Sequence, residues 1–146
     1  MIALMAAGGE RRSLRRFLVL YDEECPFCRA SVRAILRLAP AGAIEAIGLR
    51  SARAARLIPE EGAEERLEAF HLIAPTGQRW KGGAALPPLF EVLAPLRPMA
   101  WLLRRSAAAA GAADVGYGWV SRHRPLLAAV LPAAWTKPLR PEGSLS

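Results

Sequence analysis

"FLVLYDEECPFCRASVRAIL", residues 17–36, changes its periodicity within a few residues, and that change restricts the fold more than any other feature of the chain. Phe17, Leu18, Val19, Leu20 and Tyr21 form a continuous apolar run rather than an alternating one. Such a run suits a strand buried on both faces. "DEECPFC" stops it, and from Pro26 the apolar residues recur at helical spacing. Val32, Ile35, Leu36 and Ala39 make one face, while Arg29, Arg33 and Arg37 make a basic face at four-residue steps. Pro26 fits the first helical turn, where its missing N–H costs nothing, and Pro40 and Gly42 end the helix.

The order of the following segments completes a sheet. "AIEAIGL" (43–49) reads as a second strand, and residues 50–66, rich in Ala, Arg and Glu, as a surface helix and connector. Residues 67–73 read as a third strand, "PTG" as its turn, and residues 78–81 as the return strand. After Gly83 the pattern is helical: one helix beginning at Pro87 and Pro88, one over 99–110, one starting near Asp114 as N-cap, and a short one after Pro125. Strand, helix and parallel strand make a right-handed crossover unit. A hairpin added to it predicts an α/β domain of thioredoxin-like type, a mixed four-stranded sheet with flanking helices and additional C-terminal helices. By this division residues 1–16 are a loose arm, 17–131 the domain with its helical extension, and 132–146 a frayed, Pro-rich tail.

The only two cysteines, Cys25 and Cys28, fall at the junction of the first strand and its helix. Two cysteines cannot staple a chain of 146 residues, so the fold rests on packing. A thiolate at Cys25 would meet the free N–H groups and positive end of the helix, which lower its pKa, with Arg29 one turn away adding to the effect. Asp22, Glu23 and Glu24 act in the opposite direction. Cys28, one turn further in, is placed to resolve a mixed disulfide. Three other roles compete: a zinc or copper site, two buried apolar residues, or a non-catalytic module docking through the basic helix face. Zinc would have to recruit His71, His123 or carboxylates, and no finger-like spacing links them.

Charge and targeting narrow the setting. The formal charge is +7, nearly all from arginine, yet no groove-reading motif accompanies it, so no nucleic acid partner is expected. "MIALMAAGGERRSLRR" places its charges after its apolar start, the reverse of a secretory signal. No uninterrupted apolar stretch of about 18 residues suggests an integral membrane span. A cytoplasmic, reducing compartment is the expectation, and there a close cysteine pair points to catalysis or metal binding.

"VLYDEECPFC" resembles the opening motif of the DCC family of predicted thiol–disulfide oxidoreductases, named for one aspartate and two cysteines; Asp22, Cys25 and Cys28 match it position by position. "FHLIAPTGQRWKGGAAL" resembles the family's Gly-rich segment, through Gly77, Gly82 or Gly83, and Ala85. "YGWVSRHR" is similar to its late Tyr…Arg segment, through Tyr117 and Arg124. The resemblance implies a thioredoxin-like fold and dithiol exchange with a protein or small-molecule disulfide or thiol. It implies a cellular thiol reductant as second partner and no cofactor. Asp22, Cys25 and Cys28 become the candidate catalytic residues.

Two features qualify the likeness to thioredoxins proper. No proline precedes the third strand, where theirs faces the cysteines; here "EERLEA" stands. "CPFC" is closer to the Cys-Pro-aromatic-Cys of glutaredoxins, which suggests a couple near roughly −200 to −230 mV. Asp22 has two readings, a cap on the helix start or a proton acceptor for Cys28. Arg124 is a candidate partner for Asp22. His71 is expected to be a hydrogen-bonded strand residue, and Trp80, Trp101, Trp119 and Trp135 to pack or cap surface grooves.

Overall fold

The computed structural model describes residues 16–139. Of the N-terminal arm expected over 1–16, residues 1–15 lie outside the described residues, as do residues 140–146 of the tail. Strands β1 (Phe17–Tyr21), β2 (Ile44–Gly48), β3 (His71–Ile73) and β4 (Arg79–Lys81) form one mixed sheet in the order β2-β1-β3-β4. β1 runs parallel to β2 and antiparallel to β3, and β3 runs antiparallel to β4. The predicted thioredoxin-like α/β arrangement is therefore present.

β1 is interior to the sheet, which accounts for its unbroken apolar run. Val19 and Tyr21 face α1 (Pro26–Leu38) and α4 (Leu86–Val92), sharing a core with Val32, Leu36, Leu89 and Leu93. Leu18 and Leu20 face the other way, onto Ala54 of α2 (Ala52–Leu57) and Ile58. Leu18, Val19 and Leu20 are wholly buried, and truncating such a leucine to alanine costs about 2 to 5 kcal/mol. This packing fixes the C-terminal end of β1, and hence the "DEEC" turn, against two layers.

Several boundaries differ from expectation. β3 begins at His71 rather than at residue 67. Glu64 and Glu65 instead open a helical turn, α3 (Ala63–Arg66), which the N–H groups of Leu67 and Glu68 extend by bonding the carbonyls of Glu64 and Glu65. A 3-10 turn over Gly82–Ala85 precedes α4. After a second such turn, Ala94–Leu96, come α5 (Arg97–Arg105) and α6 (Ala107–Arg122). Asp114 is thus inside a helix and not its cap. Ser106 caps α6, its hydroxyl accepting the Ala109 N–H at 3.1 Å, and the alanines that follow sustain the helix without a further cap. α7 (Arg124–Ala129) carries Pro125 in its first turn, and α8 (Ala133–Thr136) ends the described chain's regular structure.

The tail expected to fray over 132–146 is, as far as residue 139, held against α1. Arg29 Nε donates to the Thr136 carbonyl at 2.6 Å. Arg33 donates to the carbonyls of Ala134, Trp135 and Lys137. Arg37 lies over the Trp135 ring, 4.6 Å from its centre. The last carbonyls of a helix have no partners within it, and Arg29 and Arg33 supply them for α8. The basic face of α1 is therefore occupied by the chain itself.

Candidate active site

Cys25 is the N-cap of α1. Its backbone is extended (φ −86°, ψ 116°) and its Sγ accepts the Cys28 N–H at 3.3 Å. A sulfur in that position carries the role a capping oxygen usually plays, and a thiolate carries it better than a thiol. The Cys25 pKa is lowered to about 6. The largest cause is the hydrogen bond between the two thiols; the backbone N–H of Cys28 and the charge of Arg124 act the same way, against burial and Asp22. Cys28 packs against the core, and its pKa is pushed well up by that same thiol bond and by burial. The two thiols, identical in chemistry, thus differ in acidity through their mutual bond, their burial and their charged neighbours.

The cation beside them is not the one anticipated. Arg29 is turned away, bonded to the carbonyls of Glu23 and Thr136. Arg124, at the start of α7, reaches back 96 positions and brings Nη1 to 3.5 Å from Cys28 Sγ, while its Nε donates to the Ser121 carbonyl at 3.0 Å. Tyr117 is on α6 and Arg124 on α7, separated by the cap residue His123, so one helix face does not carry both.

Asp22 pairs with Arg50 rather than with Arg124. Its Oδ1 accepts the Glu24 N–H at 3.0 Å and lies 3.1 Å from Arg50 Nε. It therefore shapes the turn before the helix, and the cap itself is Cys25. Arg50 lies within 4 Å of Asp22, Glu23 and Glu24 together, so the acidic run is offset by a cation from the end of β2. Nothing local in "DEE" announces Arg50; only the parallel pairing of β1 and β2 brings it there.

The Gly-rich segment has a steric explanation. Gly82 adopts φ +62°, and a Cβ there would stand 3.3 Å from the Tyr117 ring. At Gly83 a Cβ would collide with the Asp114 carboxylate. The two glycines let α6 close on the hairpin, which brings the Tyr117 hydroxyl 3.3 Å from the Phe70 N–H that donates to it. Ala69 and Phe70, at the place before β3 where no proline stands, line a cavity together with Cys28, Asp22, Tyr117 and Arg124.

Other singled-out residues lie elsewhere. His71 is buried on the opposite side of the sheet with its Nε2 2.6 Å from Glu61, which also binds Lys81 at 2.6 Å. Burial lowers its pKa against the opposing pull of Glu61, and it serves as a hydrogen-bonded strand residue. Trp80 packs against the core, Trp101 lies under Arg105, and Trp119 stacks on His123. Among the described residues no three His, Cys, Asp or Glu side chains converge as a metal site, and no helix is long and apolar enough to cross a membrane.

A mixed sheet whose first strand delivers two cysteines to a helix N-terminus is a thioredoxin-like arrangement. The family model of the DCC1-like thiol-disulfide oxidoreductases matches residues 19–129, and the chain belongs to that family. No curated protein and no solved structure matches it.

Proposed function

We propose that the protein exchanges disulfides through Cys25 and Cys28, with Cys25 as nucleophile and Cys28 as resolving thiol. The observation that carries this reading is the cap geometry, in which Cys25 Sγ accepts the Cys28 N–H while Arg124 stands at Cys28 Sγ. The cap N–H and the charge of Arg124 favour an anion on the outer sulfur, while the thiol–thiol bond and burial hold the inner one protonated until it is needed.

The Cys25 thiolate attacks a substrate disulfide, forming a mixed disulfide and releasing one substrate thiolate, which takes a proton from solvent. Cys28 then loses its proton and attacks Cys25 Sγ, releasing the second substrate thiolate and leaving the Cys25–Cys28 disulfide. The substrate gains two electrons and the pair loses two. A cellular thiol reductant returns them by the same exchange, which suits a reducing, cytoplasmic setting. Asp22 is the one carboxylate lining the cavity wall with Cys28, and its Oδ2 makes no hydrogen bond among the described residues. It is the group available to accept the Cys28 proton.

The docking-module reading loses its surface, because α8 covers the arginines of α1. Reduction of a model disulfide tests the proposal. Cys25→Ser should abolish turnover, and Cys28→Ser should stop at a mixed disulfide on Cys25, detectable by mass. Turnover that survives Cys25→Ser would reject it. Stoichiometric zinc or copper in purified protein, lost in Cys28→Ser, would turn the site into a metal centre instead.

A further inference from the structure

Beside Cys28 the sheet, α1, α4, α6 and α7 line a partly open cavity of about 330 Å³. Its walls are carbon-rich, with Ile35, Leu89, Phe90, Leu93 and Val120 among them. Well-packed interiors hold few voids larger than a water molecule. Apolar cavities of about 150 Å³ accept benzene, and small-molecule sites begin at roughly 300 Å³. This cavity is thus of ligand size.

One end of it is not apolar. Arg124 lines the wall, half-buried, and forms no ion pair among the described residues. Two of its N–H groups are taken, by the Ser121 carbonyl and by Cys28 Sγ. A guanidinium has five, so donors remain for a planar oxyanion. Asp22, the other charged group in the lining, is held 3.1 Å from Arg50 Nε and repels an anion from its own end. A carboxylate matches the single unpaired cation, whereas a phosphate dianion would bring a second charge against carbon walls.

We infer that this cavity binds an elongated apolar carboxylate, with its head on Arg124 and its body among the side chains of α1, α4 and α6. Head-group binding draws Arg124 from Cys28 and neutralises the charge that favours the Cys25 thiolate, so occupancy slows Cys25. The site stands on cavity and arginine alone; its effect on Cys25 rests on the thiol–disulfide reading.

Calorimetric titration of sodium decanoate, below its micellar range, into the reduced full chain tests this. One equivalent should bind, and Cys25→Ser should bind it equally well. Decanol should bind about tenfold more weakly than decanoate, and Arg124→Gln should lose about that factor for decanoate only. Val120→Phe, which fills the cavity, should bind neither, and it carries the test if Arg124→Gln fails to fold. Saturating decanoate should slow Cys25 alkylation near pH 6 about fivefold. No saturable binding, equal affinity for decanoate and decanol, or undiminished binding to Val120→Phe would overturn the site. Binding with unchanged alkylation would overturn the coupling. Binding to a protein whose two thiols react equally slowly would reject the redox reading and leave the cavity site standing.

Discussion

Residues 17–38 and residues 97–139 both bear on the thiols, but through different kinds of contact. The first segment places Cys25 and Cys28 by local means: a buried strand, a turn ordered by Asp22, and a helix whose own N–H groups meet the sulfur. The second contributes nothing local. It sends Arg124 to Cys28 Sγ from across the fold, closes the cavity with α6, and lays α8 along the arginines of α1. The bond between the two thiols and the burial of the inner one account for most of the difference in acidity, and the distant segment adjusts both pKa values through one charge.

Asp22→Asn is the sharpest test of what the first segment does. Asparagine keeps the oxygen that accepts the Glu24 N–H, so the turn should survive. Loss of the proton acceptor should slow resolution of the mixed disulfide by about a hundredfold. Alkylation of Cys25 should not slow, because the Asp22 charge raises its pKa and removing that charge favours the thiolate. Rapid-quench measurement of both steps separates them; resolution at the wild-type rate would leave Asp22 as a turn-former only.

Arg124→Gln breaks the contribution of the second segment. The Arg124 charge lowers the pKa of both thiols, so its loss should move the Cys25 titration upward by about one unit and slow its reaction near pH 6 by about fivefold. Arg124→Lys should restore part of this through charge without the directed bond. An unmoved titration would mean that the helix terminus suffices and the comparison has only one active side.

The smallest effect is expected at the clasp. Trp135→Ala removes the ring beneath Arg37 and should lower stability by about 1 kcal/mol, read as a modest drop in the midpoint of denaturant unfolding. Cys25 reactivity should change less than twofold. A large change would mean that α8 positions the thiols as well as covering α1.

Legibility follows the same division. The apolar run of β1, the proline at the helix start and the cysteine spacing are local signals, so the crossover unit and the thiols were readable from residues 17–36. Arg124 was visible only through its match to a motif, and its partner was misjudged: Asp22 already had Arg50, which the β1–β2 register delivers. Asp114 is a favourable cap residue by type, but Ser106 lies ahead of a run of alanines and claims the helix first. The arginine stripe of α1 reads as a docking surface because nothing in it announces that helix-end carbonyls some hundred residues away lack partners. The cavity depends on several elements meeting, and no single stretch of chain encodes it.

The central claim is that the two thiols are unequal, and residue-resolved alkylation of the reduced protein across pH tests it most directly. Peptide mass spectrometry should give Cys25 a rate that rises with a midpoint near pH 6, with Cys28 almost unmodified over the same range. Rates that rise together at both cysteines, with a shared midpoint at about 8.5, the value for an ordinary thiol, would contradict it.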